Sequence, residues 1–326
     1  MQKTTREIDF YGKNSKLKFH EDNCSIYHFS NEHGKAVLSR YDIFPGIALV
    51  FNDVHCAEIT IGNIEEYHNV LEINHCKEGC IEFATAWDEN ICAKSGDMIV
   101  NTKSGVKNYS IFPTNHYHGA TIEIDFDVVM QQDISLLADF EIDLQEIKHT
   151  FEEKGCVVYH KKSEFEHLFS ELYSVPERIR TRYYKIKIME ILLFLSVLQG
   201  DSRSRSRYFS QSIVSKVKEV QYYMVSHLDE RFTIASLAEM AGISQTNFKN
   251  CFREIYGNSV YSYLKEYKMH RAAEFLRSTD LDIMEIAGIF GYDNASKFSS
   301  GFKSVMGITP REYKKMSKWS IKSELE

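Results

Sequence analysis

Two groups of residues in this chain have the types and spacing to do chemistry. The first is His116-Tyr117-His118, which sets two imidazoles on one face of an extended segment, with Glu123 following. Imidazoles and a carboxylate are ligands for a divalent transition metal. Strand parity opposes a shared site, because on a regular strand Glu123 faces away from both histidines unless Gly119 makes a bulge. His116 and His118 therefore read as satisfied or surface histidines, and no metal or cofactor is expected. The second group lies in the last hundred residues: Gln245, Thr246, Asn247, Lys249, Asn250 and Arg253, then Asn294, Ala295, Ser296, Lys297, Ser299, Ser300 and Lys303. Amide side chains suit the edge of adenine, while Arg and Lys suit guanine or the phosphate backbone.

The elements that must carry this second group form a pattern that occurs twice, offset by 49 to 50 positions. The first copy is Ile234, Leu237, Ala238, Ala241, Gly242, Ile243, Ser244, Phe248, Phe252 and Gly257. The second is Ile283, Ile286, Ala287, Phe290, Gly291, Tyr292, Phe298, Phe302 and Gly307. Each has two apolar stripes at helical spacing, separated by a glycine where the chain turns sharply, which is the pattern of a helix-turn-helix. Thr233, Ser244, Asp282 and Asn294 stand where helix caps belong. Phe248, Phe252, Phe298 and Phe302 read as core, so the polar residues between them face out. The second outward face has fewer long bidentate donors, and Gly301 weakens its helix by about 1 kcal/mol relative to Ala. It is expected to contact phosphates more than to choose sequence. Between the copies, residues 260–277 read as one helix spanning roughly 27 Å. With its flanking turns, it would set the two outward faces about one turn of B-DNA apart, ~34 Å.

Residues 213–318 resemble the DNA-binding domain of the AraC/XylS family of bacterial transcription regulators. The resemblance is carried by Ile234, Leu237-Ala238, Ala241-Gly242-Ile243-Ser244, Phe248 and Phe252-Arg253. The second motif supplies Ile286-Ala287, Gly291-Tyr292, Phe298, Phe302-Lys303, Gly307-Ile308-Thr309-Pro310 and Tyr313, and Arg271-Ala272 with Leu276 match the linking helix. Ser300 stands where many members carry Arg, and Gly301 is unusual there. The resemblance implies a promoter-DNA partner, a small-molecule effector held in an N-terminal β-barrel, a helical dimerisation segment, and RNA polymerase as a further partner if the protein is an activator. It implies a cytoplasmic regulator and not an enzyme.

Composition agrees with a divided chain. The net charge of −7 conceals −11 over residues 1–200 and +4 over 201–326, so the basic excess sits with the repeat. The most apolar stretch, 186–198, is too short to span a membrane and is interrupted by Lys187 and Glu190. The first ten residues have no signal-peptide run. Seven cysteines, an odd number in a large chain, read as reduced cytosolic thiols.

The expected architecture is α+β in four parts. Residues 1–162 form a cupin- or jelly-roll-like β-barrel, with strands near 46–51, 69–74, 80–86, 97–101 and 120–126. Residues 163–200 are a helical dimerisation segment, 201–212 a Ser/Arg-rich linker, and 213–320 the all-α domain with its two motifs. The turn at 94–97 is expected to lead into a strand, and Cys76 and Cys80 to flank a hairpin turn. His75, Trp87, His116 and His118 are the candidate effector contacts. His116, His118 and Glu123 also resemble part of a cupin metal motif, with the Gly96-Asp97 turn in reversed order. The alternative function is therefore a cupin-type metal-dependent enzyme domain fused to a DNA-binding module. A first half that binds only a protein partner or serves dimerisation is a third reading.

Overall fold

A computed structural model describes residues 11, 15–21, 23–31, 34–60, 69–85, 90–132, 135–153, 155–160, 163–198, 209 and 211–323. The chain divides into two units, residues 1–206 and 207–326. The division falls in the stretch read as a linker, whose Ser/Arg run lies outside the described residues.

The first unit is a curled antiparallel sheet carrying helices. Its strands are β1 (Ser15–Glu21), β2 (Cys24–Asn31), β3 (Gly34–Phe44), β4 (Ile47–Cys56), β5 (Glu58–Thr60), β6 (Val70–Thr85), β7 (Asn90–Lys94), β8 (Met98–Thr102), β9 (Val106–Ile111), β10 (Tyr117–Asp125) and β11 (Cys156–Tyr159). The main path runs β1-β2-β3-β4-β10-β6-β8-β11, and β5, β9 and β7 extend the sheet from the far half of β6. The stretches 69–74 and 80–86, expected as separate strands, both belong to the 16-residue β6. No hairpin turn lies between Cys76 and Cys80. The chain there bends at Gly79 (φ +83°), where an added Cβ would fall 2.1 Å from the His116 carbonyl oxygen. Pairing with β10 runs up to the bend (Tyr117 opposite Gly79) and pairing with β7 takes over at Cys80, so the strand kinks without ending. The expected turn after Lys94 is present: it joins β7 to β8, with Gly96 N–H donating to the Cys76 carbonyl at 2.7 Å.

Alternation decides what each face of this sheet does. Leu49 of β4, Leu71 and Ile73 of β6, Val100 of β8 and Ile122 and Ile124 of β10 are fully buried on one face. They pack against residues carried by α1 (Phe126–Val129), α2 (Ser135–Asp139), α3 (Leu144–Glu152), α4 (Ser163–Ser170) and α5 (Arg180–Val197). A 3-10 turn at Glu171–Ser174 and Pro176 separates the last two helices. α5 buries Ile188, Ile191, Leu192 and Leu195 against the sheet, while Ile186 (65% exposed) and Val197 (70%) face away with Leu193 and Phe194.

The second unit is helical: α6 (Gln211–Ser226), α7 (Ile234–Met240), α8 (Gln245–Tyr256), α9 (Val260–Ser278), α10 (Ile283–Ile289), α11 (Ala295–Met306) and α12 (Pro310–Ser323). Each repeat copy builds its own core. Leu237, Phe248 and Phe252 gather around Val260, Tyr263 and Leu264 at the start of α9. Ile286, Phe298 and Phe302 gather around Met269, Ala272 and Leu276 further along it. Both helix-turn-helix pairs are as expected: Thr233 and Asp282 each make a capping box, and Ser244 and Asn294 cap the second helices. At Gly291 (φ +73°) the turn lies so close to the Asp229 carbonyl oxygen that a Cβ would sit 2.9 Å from it, so only glycine is accommodated.

Gly301 is different, since it lies inside α11 with helical φ. An added Cβ there would meet only ordinary contacts, 3.5 Å from Tyr292 Oη and 3.8 Å from Met269 Sδ. Gly301→Ala is expected to stabilise the second unit by about 0.5–1 kcal/mol, read as a higher Tm. A lower Tm would show the contact to be too tight.

Candidate nucleic-acid interface and ligand cavity

α8 turns its polar residues outward by the same periodicity that buries its aromatic ones. Phe248, Cys251, Phe252, Ile255 and Tyr256 are inside, and Gln245, Thr246, Asn247, Lys249, Asn250 and Arg253 are all exposed. Ser244 Oγ accepts the Asn247 amide at 3.2 Å and fixes where this helix begins. The equivalent face of α11 is sparser. Ser296, Lys297, Ser300 and Lys303 are exposed, but Ala295 and Ser299 are half-buried. Asn294 is exposed, and its Oδ1 accepts the Lys297 amide at 2.8 Å, so that oxygen is committed to capping.

α9 holds the two motifs together, and two further contacts pin the second. Leu228 packs against both cores, and Arg231 pairs with Asp293 in an exposed ion pair. Such a pair contributes little by itself. Lys268 of α9 is buried with its ammonium 6.0 Å from the centre of the Tyr292 ring, and burial pushes its pKa down.

On the sheet face opposite the helices, the first unit encloses a cavity of about 970 Å³, counting the space open at its mouth. Phe29, Leu38, Val54, Ile59, Phe83 and Phe112 give it apolar walls. Its polar side is a continuous hydrogen-bonded chain. Asn52 donates to Thr121 Oγ1 (2.9 Å), Thr121 to Asn74 Oδ1 (2.7 Å), Asn74 to Asn101 Oδ1 (2.9 Å) and Asn101 to Glu72 (3.0 Å). Lys103 Nζ closes the chain on Glu72 at 2.5 Å, with both side chains nearly buried. Beyond it, Arg40 donates to Glu123 and to Tyr11 Oη (2.9 Å), and Tyr11 donates to Glu123 at 3.1 Å. Burial pushes the Glu123 carboxyl pKa up against the opposing pull of Arg40. Burial also opposes the Arg40 charge, yet Tyr11 and Glu123 raise its pKa well above the ordinary value.

Of these polar residues only Glu123 was singled out by motif, as a metal-ligand candidate following His116 and His118. The usable signal was parity: Glu72 alternates with Leu71 and Ile73, and Glu123 with Ile122 and Ile124, on strands whose other face is pure core. The candidate effector residues lie elsewhere. His75 stacks on Phe169 with ring centroids 4.5 Å apart, and its Nδ1 lies 2.9 Å from Tyr173 Oη, within the helix-covered face. His116 and His118 flank Tyr117, which lines the cavity, and do not line it themselves. Trp87 lies outside the described residues. Glu123 is on the cavity side, away from both histidines, as parity requires. The register slip beside Gly119 belongs to β6, where Lys77 is the extra residue.

His116 and His118 do have a neighbour that their sequence spacing did not reveal. His55 of β4 lies beside them, with ring centroids 5.3 Å from His116 and 5.8 Å from His118. Asp53 Oδ1 accepts from His118 Nε2 (2.6 Å) and His55 Nε2 (2.8 Å). Glu78 Oε2 is 3.6 Å from His116 Nε2 and 3.7 Å from His118 Nδ1. The His116 contact holds the Glu78 carboxyl at about 2, while burial pushes the His116 imidazole below its ordinary value.

A helix-turn-helix domain model matches residues 237–316. The F1 operon positive regulatory protein of Yersinia pestis is 33% identical over 110 residues, 33% of this chain and 36% of that protein. The HTH-type transcriptional activator AarP of Providencia stuartii is 27% identical over 111 residues, 34% of this chain and 82% of that protein. The chain thus spans about a third of the length of the Yersinia relative. Among solved structures, the DNA-binding domain of AdpA in complex with a target DNA is 25% identical, over 32% of this chain and 95% of that one, with a TM-score of 0.31. Unsaturated fatty acid bound ToxT from Vibrio cholerae is 12% identical over 82% of this chain and 94% of that one, with a TM-score of 0.33. The C-terminal part of the chain is a helix-turn-helix domain of the AraC/XylS family.

Among the described residues, no helix is long and apolar enough to cross a membrane. The buried Lys103–Glu72 pair yields a direct test of the cavity's construction. Lys103→Ala strands a buried carboxylate and is expected to cost about 3–5 kcal/mol, whereas replacing both partners by apolar residues costs much less. Urea unfolding monitored on the first unit measures both.

Proposed function

We propose that this protein is a cytoplasmic transcription regulator that binds promoter DNA through α8 and α11 and responds to a small molecule held in the cavity. The observation that carries the reading is the pair of helix-turn-helix cores built on one helix, each presenting an exposed polar face. α9 has 19 residues and so is roughly 28 Å long. With its flanking turns it supports two faces spaced for successive major-groove segments, about 34 Å apart on one side of B-DNA. Gln245, Thr246, Asn247, Lys249, Asn250 and Arg253 are the base-reading set. Ser296, Lys297, Ser300 and Lys303, with Asn294, Ala295 and Ser299 at the helix start and flank, serve mainly the phosphate backbone.

The curled sheet acts as a barrel for the effector. Apolar walls beside a charged, hydrogen-bonded floor suit an amphipathic ligand, with an apolar body and a polar or ionised end. Ligand binding would favour one of two populations that differ in their competence for DNA. The names of the Yersinia pestis regulator and of AarP are those of activators, which supports activation and hence contact with RNA polymerase. The exposed Ile186, Leu193, Phe194 and Val197 support a homodimer built through α5.

Lys249→Ala or Asn250→Ala is expected to weaken specific binding by about 1–3 kcal/mol per lost bidentate contact and to relax sequence preference. Lys303→Ala should weaken all duplexes alike and flatten the salt dependence. Competition binding against random DNA across a salt series tests both; unchanged preference in the first pair removes α8 as the reading helix. Ile186→Glu with Val197→Glu is expected to convert a dimer to monomer by analytical ultracentrifugation, leaving the fold intact; a dimer that persists rejects the α5 interface.

A further inference from the structure

We propose that His55, His116 and His118 form a binding site for a divalent first-row transition-metal ion, zinc being the ion their donors suit best. One ring nitrogen from each of the three lies within 4.8 Å of the others. Tetrahedral zinc with bonds of about 2.0–2.1 Å needs its nitrogens about 3.4 Å apart. Side-chain rotations moving these atoms on the order of 1 Å would close the set. The strand register does the positioning: Asp53 is opposite His118 and Val54 opposite Tyr117, which brings His55 level with His116. The ligands therefore stand on or immediately beside hydrogen-bonded strands, where backbone motion is small.

The surrounding chemistry fits a metal better than it fits three isolated histidines. Imidazole nitrogens select zinc and its transition-metal neighbours over calcium or magnesium, which take oxygen. Asp53 bridges His55 and His118, and Glu78 reaches His116 and His118, so each ring has a carboxylate either to orient it or to complete the coordination. The His55 and His118 side chains are about a third exposed, which leaves a path for the ion and a place for water as a further ligand. This site is not a metal centre within the cavity, because Tyr117 and Glu123 point into the cavity and the three histidines do not line it. An ion here would tie β4 to β10, and to β6 through Glu78.

The test uses the full-length protein stripped with a chelator and then titrated with Zn²⁺ or Co²⁺. One ion per chain is expected, with a raised Tm for the first unfolding transition. Co²⁺ should give the visible bands of a nitrogen and oxygen site, without thiolate charge transfer. His55→Ala and His118→Gln should each lower affinity at least 100-fold, and Asp53→Asn about 10–100-fold. His149→Ala, on the exposed face of α3, should change nothing. His118→Gln keeps size and polarity at a partly exposed position, so a folded protein is available for the measurement. Sub-stoichiometric zinc, wild-type affinity in the two histidine variants, or thiolate charge transfer placing the ion on Cys76, Cys80 or Cys92 would overturn the site.

Discussion

The second unit depends on one helix being shared by two hydrophobic cores. Tyr263 and Leu264 of α9 belong to the first core, and Met269, Ala272 and Leu276 to the second. A helix cannot stretch, so cores anchored at successive turns of it are held at a set distance and rotation. Tyr263 is tied further by the Gln221 side chain, whose Nε2 donates to Tyr263 Oη at 2.7 Å. The outward faces of α8 and α11 take their relative placement from this rod. The Leu228 packing and the close approach of Gly291 to the 228–229 backbone then limit rocking of the second motif.

In the first unit the equivalent constraint is the length of β6. A strand of 16 residues cannot stay flat, and its bend at Gly79 lets the near half pair with β8 while the far half pairs with β7 and β9. That curl closes a cavity on one face and leaves the other for the helices. Alternation then assigns neighbouring residues to different tasks: Ile122 and Ile124 to the core, Thr121 and Glu123 to the cavity, and His118 to the helix-side surface beside His55. Burying Lys103 and Glu72 together is tolerable because each has the other and Asn101 supplies a further hydrogen bond. Polar groups committed in this way give the cavity a pre-organised polar floor.

Legibility from sequence followed the range of the interactions involved. The repeat in the last hundred residues was readable because its determinants are local: capping residues, helical periodicity and turn glycines act within one or two turns of chain. The outward faces of α8 and most of α11 followed from the same periodicity, and the half-buried Ala295 and Ser299 are a small departure. In the first half the reading was correct on strand content but split β6 in two, because Gly79 and the polar run around it carry the local marks of a turn. The kink is real; pairing to β10 up to Gly79 and to β7 from Cys80 keeps the strand continuous across it. The cavity polar chain and the His55 partner were not readable as a set, since they depend on which strands lie side by side.

What the sequence determined by itself was therefore the pair of helix-turn-helix motifs, their caps and turns, the helix between them, and the inward or outward sense of each strand residue. These are consequences of backbone geometry over a few residues. Tertiary structure decided that β6 is continuous, that Lys103 meets Glu72 and Arg40 meets Glu123 in one cavity, and that His55 joins His116 and His118. Each of these three meetings joins residues 31 or more positions apart in the chain. Strand order sets such meetings, and no local periodicity encodes it.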